Sequence, residues 1–184
     1  MDYDLIIVGG GLAGSALGTA LAERGARVLI IEREEKFRDR VRGEGMHPWG
    51  VAEARALGIE ERLLGTCGHP VRWWSVYAGT RLLFRRDLIE TTPAHLGCLD
   101  FYHPDMQRAL LDLAEAAGAE VRRRAEVTAV APGRSPEVLV QRNGKEERFR
   151  ARLVVGADGR TSRVRHCAGF SLQRDPLRLV IAGV

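Results

Sequence analysis

The chain has 184 residues, of which 45% are apolar and 28% charged, which suits one soluble domain with a real core. Its 21 glycines and 7 prolines are spread without a period, which excludes a collagen-like repeat or a disordered tail. The net charge of +4 comes with too few aromatics for a stacking platform, so we expect no nucleic-acid partner.

No apolar run approaches the roughly 20 residues needed to span a bilayer. The N-terminus is acidic where a signal peptide would be basic, so we expect a cytoplasmic protein without a membrane span. The cysteines Cys67, Cys98 and Cys167 are odd in number and widely spaced. Without a Cys-x-x-Cys pair, neither a disulfide framework nor a metal site is expected.

The first 32 residues predict a βαβ unit. Residues 4–8 form a β-branched run that indicates a strand buried on both faces, and a glycine-rich turn follows it. Residues 12–24 have the apolar spacing of a helix, which Gly25 would end. Residues 27–32 predict a second strand, parallel to the first and ending on a carboxylate.

The remaining elements are less regular, and their signals come from proline, glycine and apolar periodicity. A charged loop over 33–46 comes first, and Pro48 then begins a helix. The further predicted elements are two strands over 71–77 and 81–84, a helix from Pro104 to Gly118, extended structure over 120–130, a hairpin around Asn143-Gly144, a buried strand over 153–155 and a strand-like run over 177–184.

The glycine triplet lies between the first predicted strand and helix, which is the context that a dinucleotide site needs. Gly9 would permit the tight turn, Gly11 the close approach of a pyrophosphate, and Gly14 the packing of the helix on the strand. Leu12 and Ala13 belong to the same predicted binding set, because the start of a helix offers free N–H groups to phosphates.

Glu32 stands 18 residues after Gly14, where it would accept hydrogen bonds from an adenosine ribose. An acid there disfavours a 2′-phosphate, so the expected dinucleotide is FAD or NAD and not NADP. Arg33, the next residue, completes the predicted set at this end of the site.

Three further segments bear a family resemblance. Residues 156–165 (GADGRTSRVR) follow a predicted strand, Arg42-Gly43-Glu44 lies in the loop after the second strand, and His103-x-x-Met106-x-x-x-Leu110 begins a helix. In order and spacing these resemble the N-terminal portion of the FAD-dependent group A flavoprotein monooxygenases, the p-hydroxybenzoate hydroxylase-like enzymes. The resemblance implies an α/β fold: a Rossmann-like FAD-binding domain with a parallel sheet plus a β-meander, and the beginning of a substrate-binding β-sheet.

The resemblance also implies roles for individual residues. Asp158 and Gly159 match the motif linked to the FAD pyrophosphate and to use of the nicotinamide nucleotide. Arg42 resembles the arginine near the flavin, and His103 stands where the family usually has Arg or Gln. Val127 resembles the strand position whose backbone meets the adenine. We expect Arg42 and His103 to lie close together beside the flavin, and no side chain is an obvious catalytic base.

By the same resemblance, residues 1–70 and 97–170 form the FAD-binding domain, and 71–96 and 171–184 form part of a substrate-binding domain. Family members are longer and carry a downstream Gly-Asp motif, which this chain lacks. We therefore expect a truncated chain that has little activity alone.

The implied function is the FAD-binding portion of a monooxygenase that uses NAD(P)H and dioxygen. It would hydroxylate or epoxidise a small organic substrate, aromatic or polyketide-like. A geranylgeranyl reductase-like oxidoreductase and a non-catalytic FAD-binding module stay open as alternatives. Flavin-dependent halogenases use a catalytic lysine after the second helix, and residues 37–144 contain no lysine, which argues against that reading.

Ordinary structural roles also stay open for several of these residues. Asp158-Gly159 could form a simple type I′ turn, and Arg42 could be one more solvated arginine. Trp73 and Trp74 are consecutive in a predicted strand, so one indole should point inward and the other outward. A place in the core is at least as good an explanation for them as contact with substrate.

Overall fold

The structure, a computed structural model, describes residues 2–39 and 44–176. The chain divides into two compact units. We call Met1–Lys36 together with Ala114–Val184 the sheet unit, and Phe37–Leu113 the hairpin unit. Within the described residues, no helix is both long and apolar enough to cross a membrane. The predicted division into FAD-binding and substrate-binding domains remains a prediction.

The helices and strands follow one another along the chain as β1 Tyr3–Val8, α1 Leu12–Ala22, β2 Val28–Ile31, β3 Gly45–Met46, α2 Pro48–Ala56, α3 Glu60–Thr66, β4 Gly68–Val71, β5 Trp73–Ala78, β6 Arg81–Asp87, α4 Leu88–Thr91, β7 Cys98–Phe101, α5 His103–Ala116, β8 Glu120–Arg122, β9 Ala125–Ala131, β10 Glu137–Arg142, β11 Lys145–Gly156 and α6 Arg163–Cys167.

The sheet unit is built on six strands in the order β8-β2-β1-β11-β10-β9. The strands β8, β2 and β1 are parallel, and β1 also pairs in parallel with the second half of β11. The first half of β11 is antiparallel to β10, which is antiparallel to β9. The predicted fold class, a parallel sheet plus a β-meander, is confirmed.

Burial explains why the first βαβ segment has its β-branched sequence. Residues 5–8 of β1 and all of β2 are buried, as expected for parallel strands covered on both faces. The core that joins these strands to the meander contains buried apolar side chains from five strands and α6, including Ile6, Leu29, Val138, Val140, Phe149 and Val164.

The meander confirms one turn prediction and corrects one burial prediction. Asn143 and Gly144 both have positive φ, 53° and 76°, as a type I′ hairpin turn requires. The predicted strand over 153–155 is the end of β11, but Leu153 is 56% exposed. Helix α1 packs against β1 and β2, and the same face of β11 is left open at Leu153.

The hairpin unit contains a small sheet in the order β3-β7-β4 and a separate antiparallel pair, β5-β6. The sequence predicted one strand over 71–77, whereas the structure divides it at Arg72. Val71 pairs with Cys98 of β7, and Trp73 pairs with Asp87 of β6. The chain therefore changes strand partners at Arg72, which no local sequence signal marks.

The prediction of one inward and one outward tryptophan in β5 is wrong. Trp73 and Trp74 are 42% and 45% exposed. The ring of Trp73 lies beneath the guanidinium groups of Arg85 and Arg72, at 4.3 and 5.1 Å. Cation–π contact rather than burial holds this indole.

Candidate functional site

The glycine turn between β1 and α1 is shaped by two close backbone approaches. Gly9 has a φ of +105°, and a Cβ there would lie 2.4 Å from the carbonyl oxygen of Ala157, the residue that follows β11. A Cβ on Gly14 would lie 1.9 Å from the Gly9 oxygen and 3.1 Å from Ile7. Only glycine allows this turn and this packing of helix on strand.

The N-terminus of α1 is open to an anion. Gly11 is the N-cap residue, in extended conformation, and no side chain caps the helix. The first helical N–H groups, at Leu12, Ala13 and Gly14, have no partners within the helix. No acidic residue of α1 lies in its first turn, so the helix itself has no side-chain charge that neutralises the positive end of its dipole.

Glu32 is a buried carboxylate whose orientation is fixed by backbone donors. The residue is 7% exposed. Its Oε2 accepts a hydrogen bond from the Gly10 N–H at 2.8 Å, and its Oε1 accepts one from the Glu34 N–H at 2.8 Å. Each oxygen keeps a further lone pair. The carboxylate therefore keeps acceptor capacity for further donors, such as the hydroxyl groups of a ribose.

Asp158 lies in the turn after β11 and supports α6. Its Oδ2 accepts hydrogen bonds from the N–H groups of Arg163 and Val164, at 2.6 and 3.2 Å. Its Oδ1 is buried and has no hydrogen-bond partner among the described residues. Gly159 has a positive φ of 82° but Asp158 does not, so the simple type I′ turn is excluded.

These features of the sheet unit fit a dinucleotide. The helix start offers N–H donors for a pyrophosphate, and Glu32 offers acceptors for a ribose. The Asp158 Oδ1 is a buried acceptor that no donor of the described residues reaches. Buried polar atoms are nearly always hydrogen-bonded, so a bound group that donates to it would account for this atom. Because Gly9 has no side chain, the turn can lie close to the backbone of Asp158.

The other predicted cofactor-binding residues have different surroundings. The side chain of Val127 is buried in the core, which leaves its backbone as the part able to meet a ligand. Arg33 is exposed and pairs with Glu34 at 3.6 Å. Arg42 lies outside the described residues, and His103 is the first residue of α5. Their expected proximity stays a prediction.

Sequence reasoning missed two residues that hold the glycine turn. Gly10 orients Glu32 through its N–H. Ser15 is fully buried, and its hydroxyl donates to the Gly10 carbonyl at 3.0 Å. A small polar residue directly after the glycine triplet, on the inner face of the helix, is the signal that could have indicated this contact.

A protein-family model described as an FAD binding domain matches residues 2–183. The chain belongs to this FAD-binding domain family. FAD is accordingly the cofactor, and the NAD alternative left open by the glycine triplet and Glu32 is set aside. The resemblance to group A flavoprotein monooxygenases is confirmed at this level.

Relatives of this FAD-binding domain include named monooxygenases. Rifampicin monooxygenase from Streptomyces venezuelae is 31% identical over 96% of this chain and 36% of its own length. Squalene monooxygenase from Candida glabrata is 41% identical, over 42% of this chain and 16% of its own. The chain thus spans about a third or less of the length of these relatives.

Solved structures share the fold. Aklavinone-11 hydroxylase, in a complex with FAD and aklavinone, has a TM-score of 0.76 at 22% identity over 91% of this chain and 35% of its own. The p-nitrophenol 4-monooxygenase PnpA from Pseudomonas putida has a TM-score of 0.80 at 19% identity over 91% of this chain and 43% of its own. At these identities the likeness concerns the fold alone.

Proposed function

We propose that the chain is the FAD-binding part of a flavin-dependent monooxygenase that uses NAD(P)H and dioxygen. The substrate would be a small organic molecule, aromatic or polyketide-like, that is hydroxylated or epoxidised. Support comes from the named monooxygenases among the relatives and from the FAD complex of a structural neighbour. The cytoplasmic location expected from the sequence stays a prediction.

The observation that carries the proposal is the buried carboxylate of Glu32 beside the open start of α1. A carboxylate at 7% exposure is costly to bury unless hydrogen bonds satisfy it. Here two backbone N–H groups do so and leave acceptor positions unused. A carboxylate in this position can accept hydrogen bonds from the hydroxyl groups of a ribose, and its charge repels a 2′-phosphate. The arrangement therefore suits the adenosine of FAD, which has no 2′-phosphate.

The residues of this chain would bind and orient the cofactor. Gly9, Gly11 and Gly14 would admit the pyrophosphate to the start of α1, and Glu32 would fix the adenosine end. The Asp158 Oδ1 would receive a donor from the bound group, while its Oδ2 keeps α6 in place. When bound, FAD supplies the redox and oxygen chemistry.

The test has two stages. The purified chain is mixed with FAD, desalted and examined for a retained flavin absorbance spectrum at a ratio of about one FAD per chain. A protein that contains this chain as its FAD-binding part is then mixed with NADPH or NADH in the absence of oxygen, and the loss of flavin absorbance is followed. Retained FAD and bleaching, followed on admission of dioxygen by oxygenation of an added organic compound, support the proposal.

The alternatives give different results in the same test. A non-catalytic FAD-binding module retains FAD but is not bleached by either nicotinamide nucleotide. A reductase-like oxidoreductase is bleached but does not couple reoxidation by dioxygen to oxygenation of an added organic compound. A chain that retains no FAD contradicts the assignment of the glycine turn and Glu32.

A further inference from the structure

The glycine turn contains two peptides that join glycine to glycine, Gly9-Gly10 and Gly10-Gly11. No Cβ restricts the rotation of either peptide, so side-chain sterics leave their orientation open. A peptide that binds an anion must nevertheless keep its N–H turned toward that anion. Contacts from elsewhere in the fold therefore have to fix both peptides.

One side chain holds each of these peptides. The Glu32 carboxylate accepts a hydrogen bond from the Gly10 N–H at 2.8 Å and so fixes the Gly9-Gly10 peptide. The Ser15 hydroxyl donates to the Gly10 carbonyl oxygen at 3.0 Å and so fixes the Gly10-Gly11 peptide. Ser15 is 0% exposed, and Gly10 is buried as well. Solvent therefore does not reach this carbonyl oxygen to replace the hydroxyl as its donor.

The contact from Ser15 decides where the Gly11 N–H points. The C=O and N–H groups of one trans peptide lie in a plane and point in opposite directions. Because the Gly10 carbonyl oxygen is turned toward the buried Ser15, the Gly11 N–H is turned away from it. Leu12 and Ala13, which follow, are exposed, and the Gly11 N–H has no backbone acceptor among the described residues. This N–H is therefore available on the open side of the turn.

The backbone of Ser15 orients the next peptide as well. Its N–H donates to the Gly11 carbonyl oxygen at 2.9 Å, which turns the Leu12 N–H the same way along the helix axis. Helical hydrogen bonding thus orients the N–H groups from Leu12 onward. The Ser15 hydroxyl extends this control by one peptide, to the Gly11 N–H, which lies before the helix.

Thr19, one turn later in α1, shows the ordinary behaviour of a buried hydroxyl in a helix. It is 2% exposed, and its hydroxyl donates at 2.9 Å to the Ser15 carbonyl oxygen, four residues earlier, as is usual for threonine and serine in helices. The Ser15 hydroxyl instead donates to a carbonyl five residues earlier, outside the helix. The two hydroxyl groups are equally hidden but hold different parts of the backbone.

We propose that Ser15 is a positioning residue for the pyrophosphate of FAD. Because it is fully buried, it acts through the Gly10-Gly11 peptide, whose N–H it directs at the pyrophosphate, and not by contact with the cofactor. Without the hydroxyl, the buried Gly10 carbonyl oxygen has no donor, and the peptide can turn this partly negative oxygen toward the phosphates. The inference deepens the proposed function, since it rests on the assignment of the glycine turn to FAD.

Two variants and two ligands test this role. Ser15→Ala removes the hydroxyl, and Thr19→Val is the matched control that removes a buried hydroxyl of the same helix. The chain is freed of flavin, and ADP, which contains the pyrophosphate, and adenosine, which lacks it, are measured as competitors of FAD. We expect Ser15→Ala to weaken ADP by about fivefold or more but adenosine by less than about twofold. Thr19→Val should change both by less than about twofold.

The ratio of the two affinities separates positioning from a purely structural role, which would weaken ADP and adenosine alike. A ratio that Ser15→Ala leaves unchanged, or that Thr19→Val lowers equally, overturns the proposal. The parent chain supplies a second measurement that needs no variant. In its amide NMR spectrum the Gly11 signal should move downfield on addition of ADP and much less on addition of adenosine. A Gly11 signal that ADP leaves in place contradicts the orientation assigned to this peptide.

Failure here is distinct from failure of the proposed function. If the parent chain binds FAD and ADP but Ser15→Ala keeps the parent ratio, the role of Ser15 is wrong and the FAD site stands. If the parent chain binds neither FAD nor ADP, the assignment of the glycine turn is itself wrong, and the proposed function fails with it.

Discussion

The sheet unit and the β5-β6 pair of the hairpin unit use their apolar residues in opposite ways. In the sheet unit the strand interiors are almost fully enclosed, with Ile6, Leu29 and Val138 at 0% exposure. In the hairpin unit the β5-β6 pair exposes apolar side chains along its length. Val76 and Phe84, which are paired in register, are 37% and 49% exposed.

This difference separates two kinds of binding surface. The sheet unit offers a ligand mainly backbone groups, fixed by close packing around glycines and by a buried carboxylate. The hairpin unit offers exposed aromatic side chains, and contiguous exposed apolar patches of this kind mark interaction sites. Substitutions in the sheet unit should therefore affect folding and ligand binding together, while those of the exposed apolar side chains of β5 and β6 should affect binding with little cost in stability.

The largest expected effect is that of Gly14→Ala. The new Cβ would lie 1.9 Å from the Gly9 carbonyl oxygen, which is backbone and cannot move aside without shifting α1. We expect a loss of about 3 kcal/mol in the free energy of unfolding, at the upper end for overpacking. Urea denaturation and FAD retention measure the two consequences, and both should be impaired.

Gly65→Ala is the matched control, since Gly65 also lies within a helix, α3 of the hairpin unit. Apart from the chain neighbours and the backbone of α3 itself, no described atom lies within 4 Å of the Cβ position there. Alanine should stabilise by about 0.5–1 kcal/mol through helix propensity. If Gly14→Ala and Gly65→Ala have similar effects on stability, the close packing assigned to the glycine turn is wrong.

The next effect concerns affinity. Glu32→Ala removes both carboxylate oxygens that we assign to the adenosine ribose and should cost about 1.5–3 kcal/mol of FAD binding, the range for hydrogen bonds to a charged group. Fluorescence titration with FAD measures this loss. Glu35→Ala is the control, because Glu35 is an exposed carboxylate that pairs with Arg124 and should leave FAD affinity unchanged. Unaltered affinity in Glu32→Ala would refute the ribose contact.

Local signals were sufficient for much of the sheet unit. The β1-α1-β2 segment and the hairpin at Asn143-Gly144 were predicted because periodicity and glycines mark them within a few residues. Helix α6 was not predicted. Asp158 and Ser162 accept hydrogen bonds from its first N–H groups, but both residues lie in the segment that the resemblance assigned to cofactor binding, so their role in beginning a helix was overlooked. The spacing indicated Glu32, but its donors at Gly10 and Glu34 required the folded turn.

The hairpin unit could be predicted less well for a physical reason. Strands β3 and β7 are short, and their pairing joins segments 55 residues apart in the chain, as in Gly45 with Asp100. The stack of His47 on Trp74 likewise depends on tertiary contact. Exposure of both Trp73 and Trp74 contradicted simple strand alternation, because arginines and an imidazole, not a core, cover parts of these rings.

A smaller effect should be seen in the pH dependence of the stability of the hairpin unit, to which Asp87 contributes. Asp87 accepts hydrogen bonds from Arg72 and from the first N–H groups of α4. The hydrogen bond from Arg72, with smaller help from the backbone donors, lowers the pKa of Asp87. Because the folded pKa is below the unfolded one, this stabilisation is present above about pH 4 and is lost as the pH falls through the folded pKa.

The measurement can use tryptophan fluorescence, since all three tryptophans lie in the hairpin unit. We expect Asp87→Asn to lower the melting temperature by a few degrees at neutral pH, and the difference from the parent chain to shrink as the pH approaches 3. A difference that stays constant over this range would show that the charge of Asp87 does not stabilise the hairpin unit.

The smallest expected effect lies in the sheet unit and has the opposite pH dependence. The Tyr3 hydroxyl donates a hydrogen bond to Glu120 at 2.5 Å, and burial, followed by this bond, raises the pKa of Tyr3 to about 12. Because the folded pKa is above the unfolded one, this contribution is complete below about pH 10 and is lost as the pH rises toward 12.

Tyr3→Phe keeps the ring beside Phe149, which is 6.2 Å away between centroids. The variant should lose about 0.5 kcal/mol at neutral pH, since the hydrogen bond is exposed, and this deficit should narrow above pH 10. Thermal melts at neutral pH and at about pH 10.5, with Tyr77→Phe of the hairpin unit as control, measure the change. A deficit equal at both pH values would contradict the assigned pKa.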